Sequence, residues 1–300
     1  MKKNKCSLNL IFSVTHEMIK DNGEDSFCFC ALNDRFMLGV FDGCGGSGSK
    51  KYAHFSGKTG AYMASHAVCG AVYQWFAELQ GENQLQEYVQ SALSVCMKYE
   101  DRQGRMLGSL GKLFPTTAAI LVGEANENKI NVCCYWAGDS RCYILNADGL
   151  RQLTADDLNG QDAMNNLKND GVMTNVINGS VPFEIHCKKL TVGNPCIFLT
   201  ATDGCFSYLN SPMEFENLLL DSLIGASSVA EWKQELDKRM FERAGDDYTL
   251  CVASCGFDNF YDMQNSLNSR KSYVAEKYIC SKRDVDAAWN QYKKEYSKYL

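Results

Sequence analysis

The chain has 300 residues, 45% of them hydrophobic and 22% charged, so it can bury a large core as one big domain or two small ones. A net charge of −6 and a pI near 5.3 exclude a nucleic-acid backbone as the main partner. No apolar run reaches the length of a membrane span.

The opening Met1-Lys2-Lys3-Asn4-Lys5 and the apolar run after it look superficially like a signal peptide. That run is short, holds Asn9 and Ser13, and passes into Thr15-His16-Glu17 with no small-residue cleavage site, so it reads as a first β-strand over 8–14. Apolar and aromatic runs at 27–32 and 36–41 are too short for helices and predict two more strands. A helix is expected over 52–79, and another over 84–99, where Leu85, Tyr88, Val89, Ala92, Leu93 and Cys96 form one apolar face. Strands follow at 117–122, 130–137 and 141–146, the last ending in a turn at Asp148-Gly149. The polar stretch 156–180 has several Gly-containing turn dipeptides and reads as a surface excursion. Strands are expected again at 183–190, 196–201 and 248–254, with helices at 213–220 and 228–243. Residues 257–269 are polar and aromatic with no clear period. Beyond them Val285, Ala288, Trp289, Tyr292, Tyr296 and Tyr299 recur at helical steps.

These elements predict an α/β protein built on two mostly antiparallel sheets rather than a doubly wound parallel one, because a strict βαβ alternation is missing. The domain division expected is a catalytic unit over 1–256 and a C-terminal helical extension over 257–300. The aromatic stripe of that extension reads first as a helix packed on its own domain. A partner-docking helix is the sharper alternative.

Fifteen cysteines are spread through the apolar runs, where a thiol behaves as a small hydrophobe. With no C-x-x-C pair, neither a zinc ribbon nor a thioredoxin-like site is expected, and the pattern suggests reduced thiols in a cytoplasmic protein.

The chemistry concentrates in short acidic stretches where strands begin or end: Glu24-Asp25, Asp42-Gly43-Cys44-Gly45-Gly46, Asp203-Gly204 and Asp246-Asp247. Converging carboxylates with glycine beside them suit a hard divalent cation, since anionic oxygens and backbone can approach together. Taken singly, each stretch is equally well a turn or a cap. Gly138-Asp139-Ser140-Arg141, between two strands, reads alone as a hairpin turn.

In order, Glu24-Asp25, Asp42-Gly43-x-Gly45-Gly46, Gly138-Asp139-Ser140-Arg141, Thr202-Asp203-Gly204 and Asp246-Asp247-x-Thr249 resemble the motifs of the metal-dependent protein phosphatases. This is the type 2C, or PPM, serine/threonine phosphatase family, and the resemblance, to its compact bacterial form, covers about residues 7–255. It implies a four-layer αββα sandwich and a centre of two Mg2+ or Mn2+ ions, with a third, weaker site. Asp42 matches the bridging carboxylate and Gly43 the residue lending its carbonyl. Asp203 and Asp246 match ligands of one ion. Glu24 matches the acid holding the other largely through water, with Asp25 in support. Asp139 and Asp203 match the pair of the third site. The implied reaction is in-line attack of metal-activated water on the phosphorus of phosphoserine or phosphothreonine in protein substrates. No cysteine nucleophile is required.

Four positions depart from the family pattern, one of them Gly23, which falls where an asparagine is usual. Lys20 stands where the phosphate-clamping arginine is usual, keeping the charge without the bidentate fork. Cys44 replaces a histidine placed to protonate the leaving oxygen. Asp247 replaces an asparagine, adding a negative charge or a further ligand. Residues 158–180 align with the flap bordering the active site. The alternative to an enzyme is a pseudophosphatase, the fold kept as a binding module; retention of every carboxylate in the metal set argues against it. A hydrolase of small phosphoesters would use the same site.

Overall fold

The computed structural model describes residues 7–100, 112–126, 129–160, 162–168, 171–279 and 284–300. The basic start of the chain lies outside them. In chain order the strands are β1 (Leu8–His16), β2 (Ser26–Leu32), β3 (Arg35–Phe41), β4 (Lys51–Tyr52), β5 (Lys58–Thr59), β6 (Ala118–Asn126), β7 (Lys129–Ala137), β8 (Arg141–Asn146), β9 (Gly149–Gln152), β10 (His186–Gly193), β11 (Cys196–Ala201) and β12 (Tyr248–Cys255). The helices are α1 (Gly45–Gly48), α2 (Gly60–Ala77), α3 (Leu85–Cys96), α4 (Ala163–Lys168), α5 (Pro212–Gly225), α6 (Val229–Phe241), α7 (Phe260–Tyr278) and α8 (Val285–Tyr296).

Two five-stranded sheets carry the fold, in the orders β1-β12-β11-β8-β9 and β10-β7-β6-β3-β2, and every neighbouring pair is antiparallel. The alternation of side chains along a strand explains the layering. In β3, Phe36, Leu38 and Val40 face the other sheet, while Met37 and Phe41 face α2 and α3. Because both faces are covered, the strand reads as a continuous apolar run. The first sheet packs its outer face on α5 to α8, through Tyr143, Leu199, Leu250 and Val252. The result is the expected α-β-β-α sandwich.

Three expectations need correction. The region at 52–79 is not one helix: β4, a short 3-10 turn (Ala53–Phe55) and β5 come first, and α2 begins only at Gly60. Thr59, whose hydroxyl accepts a hydrogen bond from Tyr62 N at 3.1 Å, caps it there. The excursion at 156–180 contains α4 and buries Val176, Ile177 and Asn178. The segment assigned no period contains the first half of α7, capped by Asn259 accepting from Asp262 N at 2.9 Å. Its inward stripe is Met263, Leu267, Arg270, Val274 and Tyr278. A charged residue in the middle position hides the period. Arg270 is tolerated there because Glu216 of α5 meets it with two bonds, 2.7 and 3.0 Å, in a fully enclosed pair. The aromatic stripe of α8 is turned onto this same core, with Trp289, Tyr292 and Tyr296 all buried.

Candidate active site

Strand register alone brings the acidic stretches to one end of the sandwich. Ser26 pairs with Phe41, Ala201 pairs with both Arg141 and Leu250, and Ala118 pairs with Ala137. The residues just outside those pairs are Glu24, Asp25, Asp42, Asp139, Asp203, Asp246 and Asp247. Each apolar strand therefore delivers its carboxylate to the same rim.

Glu24 is held by three bonds. Thr59 Oγ1 donates to its carboxylate, Ser65 Oγ donates to its carbonyl at 2.5 Å, and its own N–H donates to Asp247 Oδ2 at 2.9 Å. A second N–H, from Met18, reaches Asp247 Oδ1 at 2.8 Å. The Asp247 carboxylate thus fastens both ends of the loop between β1 and β2. Asp25 is half-buried and accepts from Thr202 Oγ1 at 2.9 Å. The carbonyl of Asp42 takes the N–H of Thr117 (2.8 Å) and the hydroxyl of Thr116 (2.7 Å), leaving its carboxylate free to face the rim. Gly43 forms a β-bridge with Thr116.

Two glycines are required by close approach rather than by turn geometry. A Cβ on Gly45 would lie 2.2 Å from Glu24 Oε2, and one on Gly204 would lie 2.0 Å from the Asp247 carbonyl. Asp139 follows Gly138, whose N–H donates to Asp157 at 2.9 Å, and Ser140 shares a 2.7 Å hydroxyl contact with Thr117. Arg141 lines one cleft with Asp139 and Asp203, but its guanidinium is paired elsewhere. It forks onto Asp156 at 2.9 and 2.6 Å and lies 4.0 Å over the Phe206 ring, so it anchors the turn.

The electrostatics suit a cation. Burial first, and then the neighbouring Asp203, Asp25, Asp139 and Asp246 carboxylates, hold Asp42 well above the usual carboxylate range. Burial pushes Asp25 up to about 8, against the Thr249 and Thr202 hydrogen bonds, with Asp203 and Asp247 adding to the rise. Burial, with Asp203 and Asp156, pushes Asp139 up to about 7. Burial also raises Asp203, Asp246 and Glu24. Asp42 and Asp203 lie close enough to act on each other's titration, Asp203 being the first carboxylate among the causes that raise Asp42. Asp139 Oδ1 is buried with no hydrogen-bond partner among the described residues. An all-oxygen donor set with an orphaned oxygen and mutual repulsion fits a hard dication.

Cys44 sits against the same group, and burial with Asp42 and Asp139 pushes its thiol well above its ordinary value. In the metal-free protein that favours the neutral S–H. Lys112, which the sequence reading did not single out, is the cation felt most by Cys44. Lys20 stands exposed in the loop that Asp247 fastens. The supporting hydroxyls of Thr59, Ser65, Thr116 and Thr202 were also missed, and no sequence pattern marks them.

A family model described as protein phosphatase 2C matches residues 14–240. A comparison with curated protein sequences found no match. Among solved structures, the chain is similar to the serine/threonine phosphatase Stp1 from Staphylococcus aureus, at 17% identity and a TM-score of 0.59 over 83% of this chain and 96% of that one. The PstP catalytic domain in complex with two manganese ions is 18% identical, with a TM-score of 0.55 over 83% and 99%. RsbX in complex with magnesium is 17% identical, with a TM-score of 0.51 over 84% and 100%. At these identities the structural likeness carries the fold, and the family model carries the membership. The chain belongs to the protein phosphatase 2C family.

Proposed function

We propose that this chain is an active phosphoserine/phosphothreonine protein phosphatase that uses two Mg2+ or Mn2+ ions, with a weaker third site, in the cytoplasm. The observation that carries the reading is the set of carboxylates converging around Asp42, raised by desolvation and by one another, whose mutual repulsion a bound dication would relieve. Asp42, the Gly43 carbonyl, Asp203 and Asp246 would hold the ions directly, Glu24 through water, and Asp139 with Asp203 the third. Asp25 supports Glu24. When bound, the ions supply an activated water and offset charge on the phosphoryl oxygens.

The chain's own residues orient the rest. Lys20 and Lys112 bring positive charge toward a phosphate near the rim. Asp247 keeps the Lys20 loop docked. The neutral Cys44 thiol is a weak proton donor, so leaving groups with acidic conjugate acids should turn over with least help from the protein. Retention of the whole carboxylate set supports an enzyme over a pseudophosphatase.

The test is hydrolysis of p-nitrophenyl phosphate and of a phosphothreonine peptide in EDTA, Mg2+ and Mn2+ in turn, beside the variants Asp42→Asn and Asp203→Asn. Turnover only with metal, and lost in both variants, is expected. Turnover in EDTA, or untouched by both substitutions, would overturn the reading. Lys20→Arg should lower KM for the peptide by restoring the bidentate fork; an unchanged KM would remove Lys20 from the site.

A further inference from the structure

On the outer face of the second sheet, away from the acidic rim, two thiols and a carboxylate meet. Cys133 of β7 pairs in register with Lys189 of the edge strand β10, and Cys187 pairs with Tyr135. The two cysteines are therefore diagonal neighbours on one sheet face, and their sulfurs lie 3.4 Å apart. Glu82, from the turn between α2 and α3, completes a group whose ligand atoms all fall within 4.8 Å of one another. Cys133 to Asp139 is six residues of strand and turn, about 20 Å at about 3.3 Å per residue, so this group is separate from the catalytic rim.

We propose that Cys133, Cys187 and Glu82 form a second metal site, built for Zn2+. Two sulfurs bound to one zinc at about 2.3 Å sit roughly 3.8 Å apart at the tetrahedral angle. Only a few tenths of an ångström of movement separates that from the observed spacing. Zinc takes thiolate and carboxylate oxygen together, whereas Mg2+ and Mn2+ prefer oxygen donors alone. The charges balance. Two thiolates and Glu82 carry three negative charges; the ion supplies two positive ones, and Lys189, 2.6 Å from Glu82, supplies the third. Binding sends the two thiol protons to solvent. An open cleft beside the group, lined by Trp75, Gln80 and Glu124, leaves room for water as fourth ligand. The ion would tie the edge strand β10 to β7 and to the turn that ends α2.

A disulfide is the competing chemistry, and the strand geometry opposes it. Diagonal partners in an antiparallel pair have Cα atoms about 7–8 Å apart, beyond the ~4.4–6.8 Å a disulfide spans.

The experiment is Co2+ titration of the reduced, EDTA-treated full chain, read by absorbance and followed by Zn2+ competition. One equivalent should produce a sulfur-to-cobalt charge-transfer band that Zn2+ abolishes. The oxygen-only catalytic centre gives no such band, so the result is independent of whether the enzyme is active. Cys133→Ser and Cys187→Ser should each abolish the band, and Glu82→Gln should weaken Zn2+ binding by about tenfold or more. Absence of the band, its survival in Cys187→Ser, or formation of a Cys133–Cys187 disulfide under mild oxidant with no metal uptake would each overturn the proposal.

Discussion

Asp247 is the residue whose role changes most between sequence and structure. As a second acid beside Asp246 it suggests either an extra ligand or added repulsion. In place, it spends both oxygens on the N–H groups of Met18 and Glu24. Removing a charged acceptor from two such donors costs about 1–3 kcal/mol. Asp247→Ala should therefore raise the Mg2+ concentration for half-maximal activity by about tenfold or more, with Asp247→Asn, which keeps one acceptor oxygen, in between. Equal metal dependence in all three proteins would show that the loop needs no such fastening. The candidate metal-binding carboxylates were legible in the sequence through the order of their motifs, since each alone reads equally as a turn or a cap. The hydroxyls of Thr59, Ser65 and Thr202 were not, since they reach their partners across 35 to 177 residues of chain. The same burial makes a pH prediction for the metal-free protein. Asp25 and Asp139, at about 8 and about 7 when folded, titrate near 4 when unfolded. Between those values the folded chain keeps protons that the unfolded chain has lost, so stability falls as pH rises from about 4 to about 8. EDTA-treated protein should melt at least ~4 °C lower at pH 8 than at pH 5.5, with Mg2+ reversing the loss at pH 8 and Asp139→Asn flattening the trend. A Tm that holds steady or rises over that range would contradict the burial argument.

At the scale of elements, the least legible part of the chain is the one that joins the flap to the C-terminus. The flap region looked like polar surface, yet its short helix α4 begins at an Asp162 that accepts from Trp289 Nε1 at 3.1 Å and Lys293 Nζ at 2.5 Å, both from α8. Lys168, at the end of α4, meets Asp286 at 2.6 Å. Sequence could not announce these contacts, because more than 110 residues separate the partners and none lies in a motif. Cutting the tether should loosen one wall of the cleft that Asp139, Asn166, Asp203 and Tyr208 share. Asp162→Ala is expected to raise KM for a phosphothreonine peptide by roughly three- to tenfold, in line with about 1 kcal/mol of lost contacts, while leaving p-nitrophenyl phosphate turnover near wild type. A similar change for both substrates in steady-state assays would place the effect in the chemistry instead of in the flap.

For the molecule as a whole, the sandwich was readable because its strands are buried on both faces and announce themselves as unbroken apolar runs. So was the aromatic stripe of α8, which read first as a helix packed on its own domain; α7 was not readable, because a buried Arg270 interrupts its stripe. Yet these helices supply much of one outer layer. Met263, Leu267, Val274, Tyr278, Trp289, Tyr292 and Tyr296 share a core with Phe215, Leu219 and Tyr143. Arg270 and Tyr292 both bond Glu216, whose other oxygen contact is Leu150 N of β9 at 3.1 Å. Four large aromatic side chains at about 1.5–3 kcal/mol each contribute about 6–12 kcal/mol, as much as the whole net stability of a typical domain, about 5–15 kcal/mol. Deleting residues 262–300 would remove that contribution. It would also expose the outer face of α5 and leave Glu216 buried without its cation. The truncated chain should aggregate, or remain soluble only as a dye-binding, loosely packed form without metal-dependent activity. A soluble remainder with full turnover and a cooperative melt would show that the first 261 residues close their own core.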